Sequence, residues 1–314
     1  MRIPYATLFF SISVVLAVGI IFFKQQHQDE HKKLFVVCTT SMITDAVKKI
    51  GGDLIDVYGL MGPGVDPHLY RATEGDAHHL ASADIIFYNG LHLEGKMGTM
   101  FAAMHAYTTT IAIADALEID QYIASQDMHA LHDPHIWFDV ALWMRVVTLI
   151  RDTLVAHDHD EVHQKNYYQR AESFLHELSM LHSYVQARAQ ELPKEKRILI
   201  TAHDAFSYFG RAYDFDVIGL QGISTDAEIS TKDIQDLVEI IINQKIPAIF
   251  VESSVPYRSL QAVQDAVAAH GWHVTLADEL FSDALDSPNT QSGTYIGMVR
   301  HNIDTIVNAL QGRV

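Results

Sequence analysis

Short apolar runs alternate with amphipathic stretches along most of this chain, and the alternation occurs in two successive sets. The apolar runs predict strands at 34–39, 55–60, 84–88, 110–114, 198–201, 217–220, 248–252 and 274–277. The stretches between them predict helices that end near residue 50 and that span 74–81, 98–106, 139–156, 204–213, 230–244, 257–270 and 294–310. Strands and helices that alternate at these lengths are typical of parallel α/β sheets. The sequence predicts an α/β fold with two similar lobes, each a four-stranded parallel sheet flanked by helices.

A long helical stretch separates the two sets. Its apolar residues follow steps of three and four, at Tyr167, Ala171, Phe174, Leu178, Leu181, Val185 and Ala189. The pattern predicts one helix over 161–191, which Pro193 ends. At about 1.5 Å per residue this helix would exceed about 40 Å, enough to span both lobes. We expect a stiff strut that limits relative motion, with a lobe at 34–160, a linking helix at 161–192 and a second lobe at 193–314.

The first 33 residues predict delivery to the cell envelope. Residues 3–23 carry no charge and lie between Arg2 and Lys24, a length that suits a transmembrane helix or the core of a secretion signal. No Ala-x-Ala cleavage site precedes Lys24, and no cysteine follows the apolar run to carry a lipid. We expect an uncleaved signal anchor, with a cleaved signal as the alternative, and a polar tether at 25–33. Either arrangement places the folded part outside the cytoplasm.

Composition argues against nucleic-acid binding and excludes two kinds of cysteine site. The 314 residues carry a net charge of −17 and no basic cluster, which argues against a nucleic-acid-binding protein. The single cysteine, Cys38, excludes an intramolecular disulfide and a cysteine-based zinc site. It lies in an apolar run and is expected to be a buried strand residue. Histidine, by contrast, is abundant, with 19 copies.

Two of these histidines follow the same dipeptide, in Asp66-Pro67-His68 and Asp133-Pro134-His135. Proline fixes its own φ and restricts the residue before it to extended conformations. Asp suits a helix N-cap and Pro suits the first helical position, so the motif predicts a histidine held on the opening turn of a helix. The positive end of that helix would favour the neutral ring that a metal requires.

Four candidate ligands follow predicted strands. His68 and His135 follow the second and fourth strands of the first set, and His203 and Asp283 follow the first and last strands of the second set. Ligands of open parallel sheets bind beyond the carboxyl ends of the strands, so the four side chains could meet between the lobes. Three imidazoles and a carboxylate suit zinc, and manganese also accepts these groups. Competing carboxylates lie near Asp283, at Asp278, Glu279 and Asp286.

Six segments in order resemble one known family. They read "GLMGPGVDPHLYRAT", "DPHIWFDV", "TAHDAFSYFGRAYDF", "GLQGISTDAE", "PAIFVESSVP" and "ELFSDAL…GTYIGMVRHNIDTIV". Together they are similar to the zinc/manganese receptors of ABC importers, solute-binding proteins built around a rigid backbone helix. The resemblance covers nearly all of residues 34–310. It implies metal ligands at His68, His135, His203 and Asp283, bound cargo of Zn²⁺ or Mn²⁺ with Fe²⁺ as a further option, and a permease and its ATPase as partners.

The resemblance also bears on the metal and on the oligomeric state. Manganese-type members of this family often carry glutamate at the third ligand position, where this chain has His203, which favours zinc. We expect a monomer. Many members carry a lipid-anchoring cysteine after the apolar segment, and this chain does not.

Other groups give weaker signals. His157, His159 and His163 could hold metal, although a solvated start to the long helix is the preferred interpretation. Glu252 ends a predicted strand and could hold a ligand histidine or cap a loop. The alternative function is an envelope zinc hydrolase, which would need an open metal position and a general base. Four protein ligands and the absence of an HExxH motif argue against this alternative, so we expect no enzyme.

Overall fold

Two four-stranded parallel sheets organise the chain. The structure is a computed structural model that describes residues 33–125 and 132–313. The strands of the first sheet are β1 (Leu34–Cys38), β2 (Ile55–Gly59), β3 (Ile85–Tyr88) and β4 (Thr109–Ala112). Those of the second are β5 (Ile198–His203), β6 (Asp216–Gln221), β7 (Ala248–Glu252) and β8 (Thr275–Leu280). The strand orders are β2-β1-β3-β4 and β6-β5-β7-β8, so the predicted pair of parallel sheets is confirmed.

Helices connect the strands, as parallel pairing requires. Around the first sheet they are α1 (Ser41–Gly51), α2 (Glu74–Ser82), α3 (Gly98–Met104) and α4 (Val140–His157). Around the second they are α6 (Ser207–Tyr213), α7 (Thr231–Gln244), α8 (Arg258–Ala269) and α9 (Tyr295–Leu310). Capping boxes fix the starts of α2 and α7, where Thr73 and Ser230 accept from the backbone of Asp76 and Asp233.

The predicted strut is present as α5, Glu161–Ala189, and at about 1.5 Å per residue its 29 residues extend about 43 Å. Its buried residues are those of the predicted stripe: Tyr167, Ala171, Phe174, Leu178, Leu181, Val185 and Ala189. Side chains tie it to the helices of both sheets. Arg170 donates to the Gly51 carbonyl at the end of α1, and Arg188 pairs with Asp304 of α9 at 2.7 Å. The strut is therefore anchored to one helix beside the first sheet and to another beside the second.

A buried interface joins the two sheets directly. The indole of Trp137 donates to the carbonyl of Ser282 at 3.0 Å, and the hydroxyl of Tyr295 donates to the carbonyl of Trp137 at 2.7 Å. Trp143 stacks on Tyr295, with ring centroids 5.0 Å apart. The described residues from Phe35 onward form one compact unit. These contacts support the expectation that relative motion is limited.

Several predicted bounds differ from the structure. The fourth strand ends at Ala112 because the chain enters a 3-10 helix at Ile113–Ala116. The helix predicted over 204–213 begins at Ser207, after Asp204 accepts a hydrogen bond from the Ser207 hydroxyl. Cys38 is fully buried in β1, as predicted. The predicted anchor at 3–23 lies outside the described residues. Among the residues that are described, no helix is both long and apolar enough to cross a membrane.

Candidate metal centre

The structure brings the four predicted ligands together. One atom from each of His68, His135, His203 and Asp283 lies within 4.8 Å of the other three. His68 and His135 come from the loops after β2 and β4, His203 is the last residue of β5, and Asp283 follows β8. All four side chains are buried, with relative exposures between 0% and 5%. The competing carboxylates Asp278, Glu279 and Asp286 are not in this group.

The donor atoms of the four side chains, counting both oxygens of Asp283, are spaced close to those around a small tetrahedral ion. Nε2 of His68 lies 3.3 Å from Nε2 of His135. Oδ2 of Asp283 lies 3.4 Å from Nε2 of His203 and 4.0 Å from Nε2 of His68, and Oδ1 lies 3.6 Å from Nε2 of His135. Four atoms about 2.0–2.1 Å from a central zinc stand about 3.3 Å apart in a tetrahedron. The group therefore needs only small adjustments to surround such an ion.

Both Asp-Pro-His motifs hold their histidine by a tight turn, and the predicted helix starts are wrong. Residues 67–69 form a turn, and His135 precedes a short 3-10 helix, Ile136–Phe138. In each motif the aspartate Oδ1 accepts the backbone N–H of the histidine two residues later, at 2.8 Å for both His68 and His135. An aspartate at a helix N-cap makes the same bond, but here only a turn or a short 3-10 helix follows it.

Asp133 does more than close a turn. Its Oδ1 also lies 2.7 Å from Nδ1 of His135, so the same carboxylate orients the ring and directs Nε2 at the site. The Asn89 side chain donates to the carbonyl of Pro134 at 2.9 Å and holds this loop against the end of β3. This role of Asp133 was not predicted from the sequence. An aspartate two residues before a ligand histidine is the signal that could have revealed it.

Glu252 plays the corresponding part for His203. Its Oε2 lies 2.6 Å from Nδ1 of the ring, and its Oε1 accepts the backbone N–H of His203 at 2.9 Å. The two residues meet because β5 and β7 are neighbours and both end here. Of the two alternatives for Glu252, the structure favours the one in which it holds a ligand histidine.

Two further residues shape the second half of the site. The Ser254 hydroxyl donates to Oδ2 of Asp283 at 3.3 Å and lies 2.9 Å from the Ser282 hydroxyl. Gly219 of β6 lies against the backbone that follows His203, where an added Cβ would stand 2.4 Å from the amide nitrogen of Asp204. A side chain at Gly219 would displace the chain next to a candidate ligand.

Burial and mutual charge set the protonation of the cluster. Burial lowers the pKa of His68 to about 3, so its ring is neutral at pH 7. Burial alone would lower the pKa of His203, but the carboxylates of Glu252 and Asp283 outweigh it and raise the pKa well above the usual value. Burial alone would raise the pKa of Asp283, but His203 and the other two histidines lower it instead. These shifts favour the imidazolium of His203 beside the carboxylate of Asp283 in the metal-free protein.

The three other candidate histidines, His157, His159 and His163, do not form a comparable cluster. His157 is fully engaged, with Nε2 2.8 Å from the Thr109 hydroxyl and Nδ1 2.8 Å from the Thr153 carbonyl. His163 contacts Asp158 at 2.9 Å, and His159 is exposed. Within residues 33–125 and 132–313, the four-residue cluster is the one group of three or more His, Cys, Asp or Glu side chains close enough to share an ion.

Comparison with known proteins identifies the family. The model of the family described as "Zinc-uptake complex component A periplasmic" matches residues 36–309. The chain belongs to this family. The resemblance predicted from the sequence motifs is confirmed, and the family is one of transport proteins that bind a solute.

Three relatives illustrate the match. The zinc-binding protein TroA of Treponema pallidum is 46% identical over 278 residues, which are 88% of this chain and 89% of that protein. Its solved structure superposes with a TM-score of 0.85 and covers 89% of this chain and 99% of that one. The manganese-binding lipoprotein MntA of Bacillus subtilis is 41% identical over 89% of this chain and 90% of its own length. Fe(III)-bound YtgA of Chlamydia trachomatis is 26% identical, with a TM-score of 0.79 over 88% of this chain and 98% of that one.

Proposed function

We propose that this protein captures one divalent transition metal, zinc or manganese, outside the cytoplasm and delivers it to an ABC importer. The cargo binds between two lobes, residues 34–160 and 193–314, which the helix at 161–192 joins. His68 and His135 supply ligands from the first lobe, and His203 and Asp283 from the second. The proposal rests on one observation: these four donors lie close together in one buried cluster. No other described group of side chains matches it.

The donor set favours zinc over manganese. Four donors with tetrahedral spacing complete the shell of zinc, whereas manganese prefers more oxygen ligands. The cluster can offer manganese a fifth donor through the second oxygen of Asp283, which lies 3.6 Å from Nε2 of His135. The names of the relatives span zinc, manganese and Fe(III), so the fold accommodates each of these ions in some member. Zinc also binds N/O sites more tightly than manganese in the Irving–Williams order.

The proposal includes location and partners. The N-terminal apolar segment would hold the chain at the envelope as an uncleaved signal anchor, and the lobes would act as a monomer. A permease and its ATPase would receive the metal, in line with relatives named as substrate-binding lipoproteins of ABC transporters. The alternative of a zinc hydrolase is disfavoured because all four positions around the ion come from buried protein side chains. A catalytic zinc keeps one position open for water.

Thermal unfolding of the full-length chain tests the proposal. The protein would be stripped with a chelator and then titrated with Zn²⁺ or Mn²⁺. A ligand that binds only the native state stabilises it by about 2.7 kcal/mol at 100-fold excess over Kd, so the melting temperature should rise. His135→Ala should remove most of the rise. An unchanged melting temperature with every divalent metal would contradict the proposal.

A further inference from the structure

We propose that Asp66 and Thr225 form a link outside the metal shell that positions His68 and slows release of the metal. The inference rests on the proposed function. The Thr225 hydroxyl donates to Oδ2 of Asp66 at 2.6 Å. Asp66 lies in the loop after β2, and Thr225 lies in the loop after β6, so this bond crosses from the first sheet to the second. Both residues are half-buried.

In the first lobe, the link ends at the candidate ligand His68. The other oxygen of Asp66, Oδ1, accepts the backbone N–H of His68 at 2.8 Å. One rigid carboxylate therefore holds the ligand's backbone with one oxygen and the opposite loop with the other. When the Thr225 hydroxyl moves away, the carboxylate is free to rotate and the turn that holds His68 weakens.

In the second lobe, the link leads to the candidate ligand His203. Gln221 ends β6 and is the register partner of His203 at the end of β5. The side chain of Gln221 donates to the carbonyl of Thr225 at 2.7 Å, which fixes the loop to this strand end. Displacement of the β5 end that carries His203 would therefore move Thr225. The link couples the positions of His68 and His203 even when no metal joins them.

The same loop lines a cavity together with His68. A cavity of about 330 Å³ is lined by His68 together with Ile223, Ser224 and Asp226, which flank Thr225 in sequence. The loop thus forms part of the wall beside the ligand. Loss of the bond between Thr225 and Asp66 would let the loop retreat from His68, which is the event expected to precede release.

A second contact between the sheets provides a matched comparison. Lys96 lies after β3 and pairs with Asp226 at 2.9 Å, one residue from Thr225. This ion pair is largely exposed. Exposed pairs contribute little because water screens them and two long side chains lose freedom. The Lys96–Asp226 pair should therefore affect metal release far less than the bond from Thr225.

The test measures dissociation of Zn²⁺ from the full-length chain by stopped-flow mixing with an excess of a fluorescent chelator. Thr225→Val keeps the shape and removes the donor, and it should raise the dissociation rate about tenfold, since a hydrogen bond to a charged acceptor is lost. The association rate should change by less than about twofold, because the loss of a single contact acts mainly on the dissociation rate. Thr225→Ser should restore the slow rate, and Lys96→Met should stay near wild type.

Two outcomes would overturn the inference. One is a Thr225→Val dissociation rate equal to that of the wild type. The other is an equal acceleration by Lys96→Met, which would show that any contact between the sheets has the same effect. Equilibrium titration of the wild type with Zn²⁺ tests the proposed function separately. Absence of stoichiometric binding there would contradict the proposed function itself.

Discussion

Nδ1 of His203 lies 2.6 Å from Oε2 of Glu252, while Nε2 of the same ring faces Oδ2 of Asp283 at 3.4 Å. The ring thus lies between two carboxylates in a fully buried setting. One carboxylate is a candidate metal ligand and the other keeps the ring oriented. This arrangement raises the pKa of His203, and we propose that Glu252 supports the candidate metal site through the ring rather than by contact with the ion.

Glu252→Gln should weaken Zn²⁺ binding by about 10- to 100-fold, the usual cost of losing a partner behind a ligand histidine. The amide keeps the volume and can still accept the backbone N–H of His203, but it no longer supplies a negative charge to Nδ1. Isothermal titration against a competing chelator would give the affinities. Glu239→Gln, on an exposed face of α7, is the control and should bind as the wild type does. Equal affinities for all three proteins would contradict this role of Glu252.

Metal binding should release close to one proton at pH 7, and the proton should come from His203. The pKa of its ring is raised in the metal-free protein, so the ring is protonated at neutral pH and must lose its proton to bind metal. His68 should contribute none, because burial lowers its pKa to about 3. Apparent affinity should therefore rise about tenfold per pH unit until the pH passes the pKa of His203. Calorimetry in buffers of different ionisation enthalpy counts the protons, and zero release would contradict the assignment.

His68 also gives the metal-free protein an acid-labile component of stability. Its pKa is lower in the folded chain than in the unfolded chain, so the unfolded state binds the extra proton between about pH 6.5 and pH 3. Stability from this group is therefore lost as the pH falls through that window. His68→Gln should flatten the pH dependence of the urea midpoint there, and an unchanged slope would contradict the burial argument.

Asp133→Ala should reduce Zn²⁺ affinity more than Asp133→Asn does. Alanine removes both the turn bond to the backbone of His135 and the contact to Nδ1 of its ring. Asparagine keeps an oxygen for both contacts and loses only the charge. We expect a loss of about 10- to 100-fold for Ala and less than about tenfold for Asn. Competition titration would rank the variants, and equal losses would show that the charge alone matters.

The sequence predicted the architecture and the candidate ligands because both leave local patterns. The alternation of apolar runs predicts the strands, and the stripe from Tyr167 to Ala189 predicts the strut. Ligands at strand ends converge because parallel strands direct their carboxyl ends to one edge. The bond between Thr225 and Asp66 spans 159 positions and depends on how two loops meet, which no local pattern records. The helix starts predicted at Asp-Pro-His were wrong: the aspartate makes a cap-like bond to the histidine's backbone, but a turn or a short 3-10 helix follows it.

The interface between the sheets should be costly to disturb. Trp137→Phe removes the donor to the Ser282 carbonyl next to Asp283 and leaves that buried oxygen without its bond. Loss of the hydrogen bond and of ring volume should lower the free energy of unfolding by about 1–3 kcal/mol. Urea unfolding of the metal-free protein would measure the change. Trp272→Phe also loses a bond to a carbonyl, that of Ile246, but lies away from this interface and should leave metal affinity unchanged.

The central claim is that His68, His135, His203 and Asp283 share one metal ion. Anomalous diffraction at the zinc absorption edge, on crystals of the zinc-loaded protein, tests it directly. We expect one strong peak, about 2.0–2.2 Å from Nε2 of each histidine and from a carboxylate oxygen of Asp283. A strong peak elsewhere, for example among His157, His159 and His163, with none at the cluster, would contradict it.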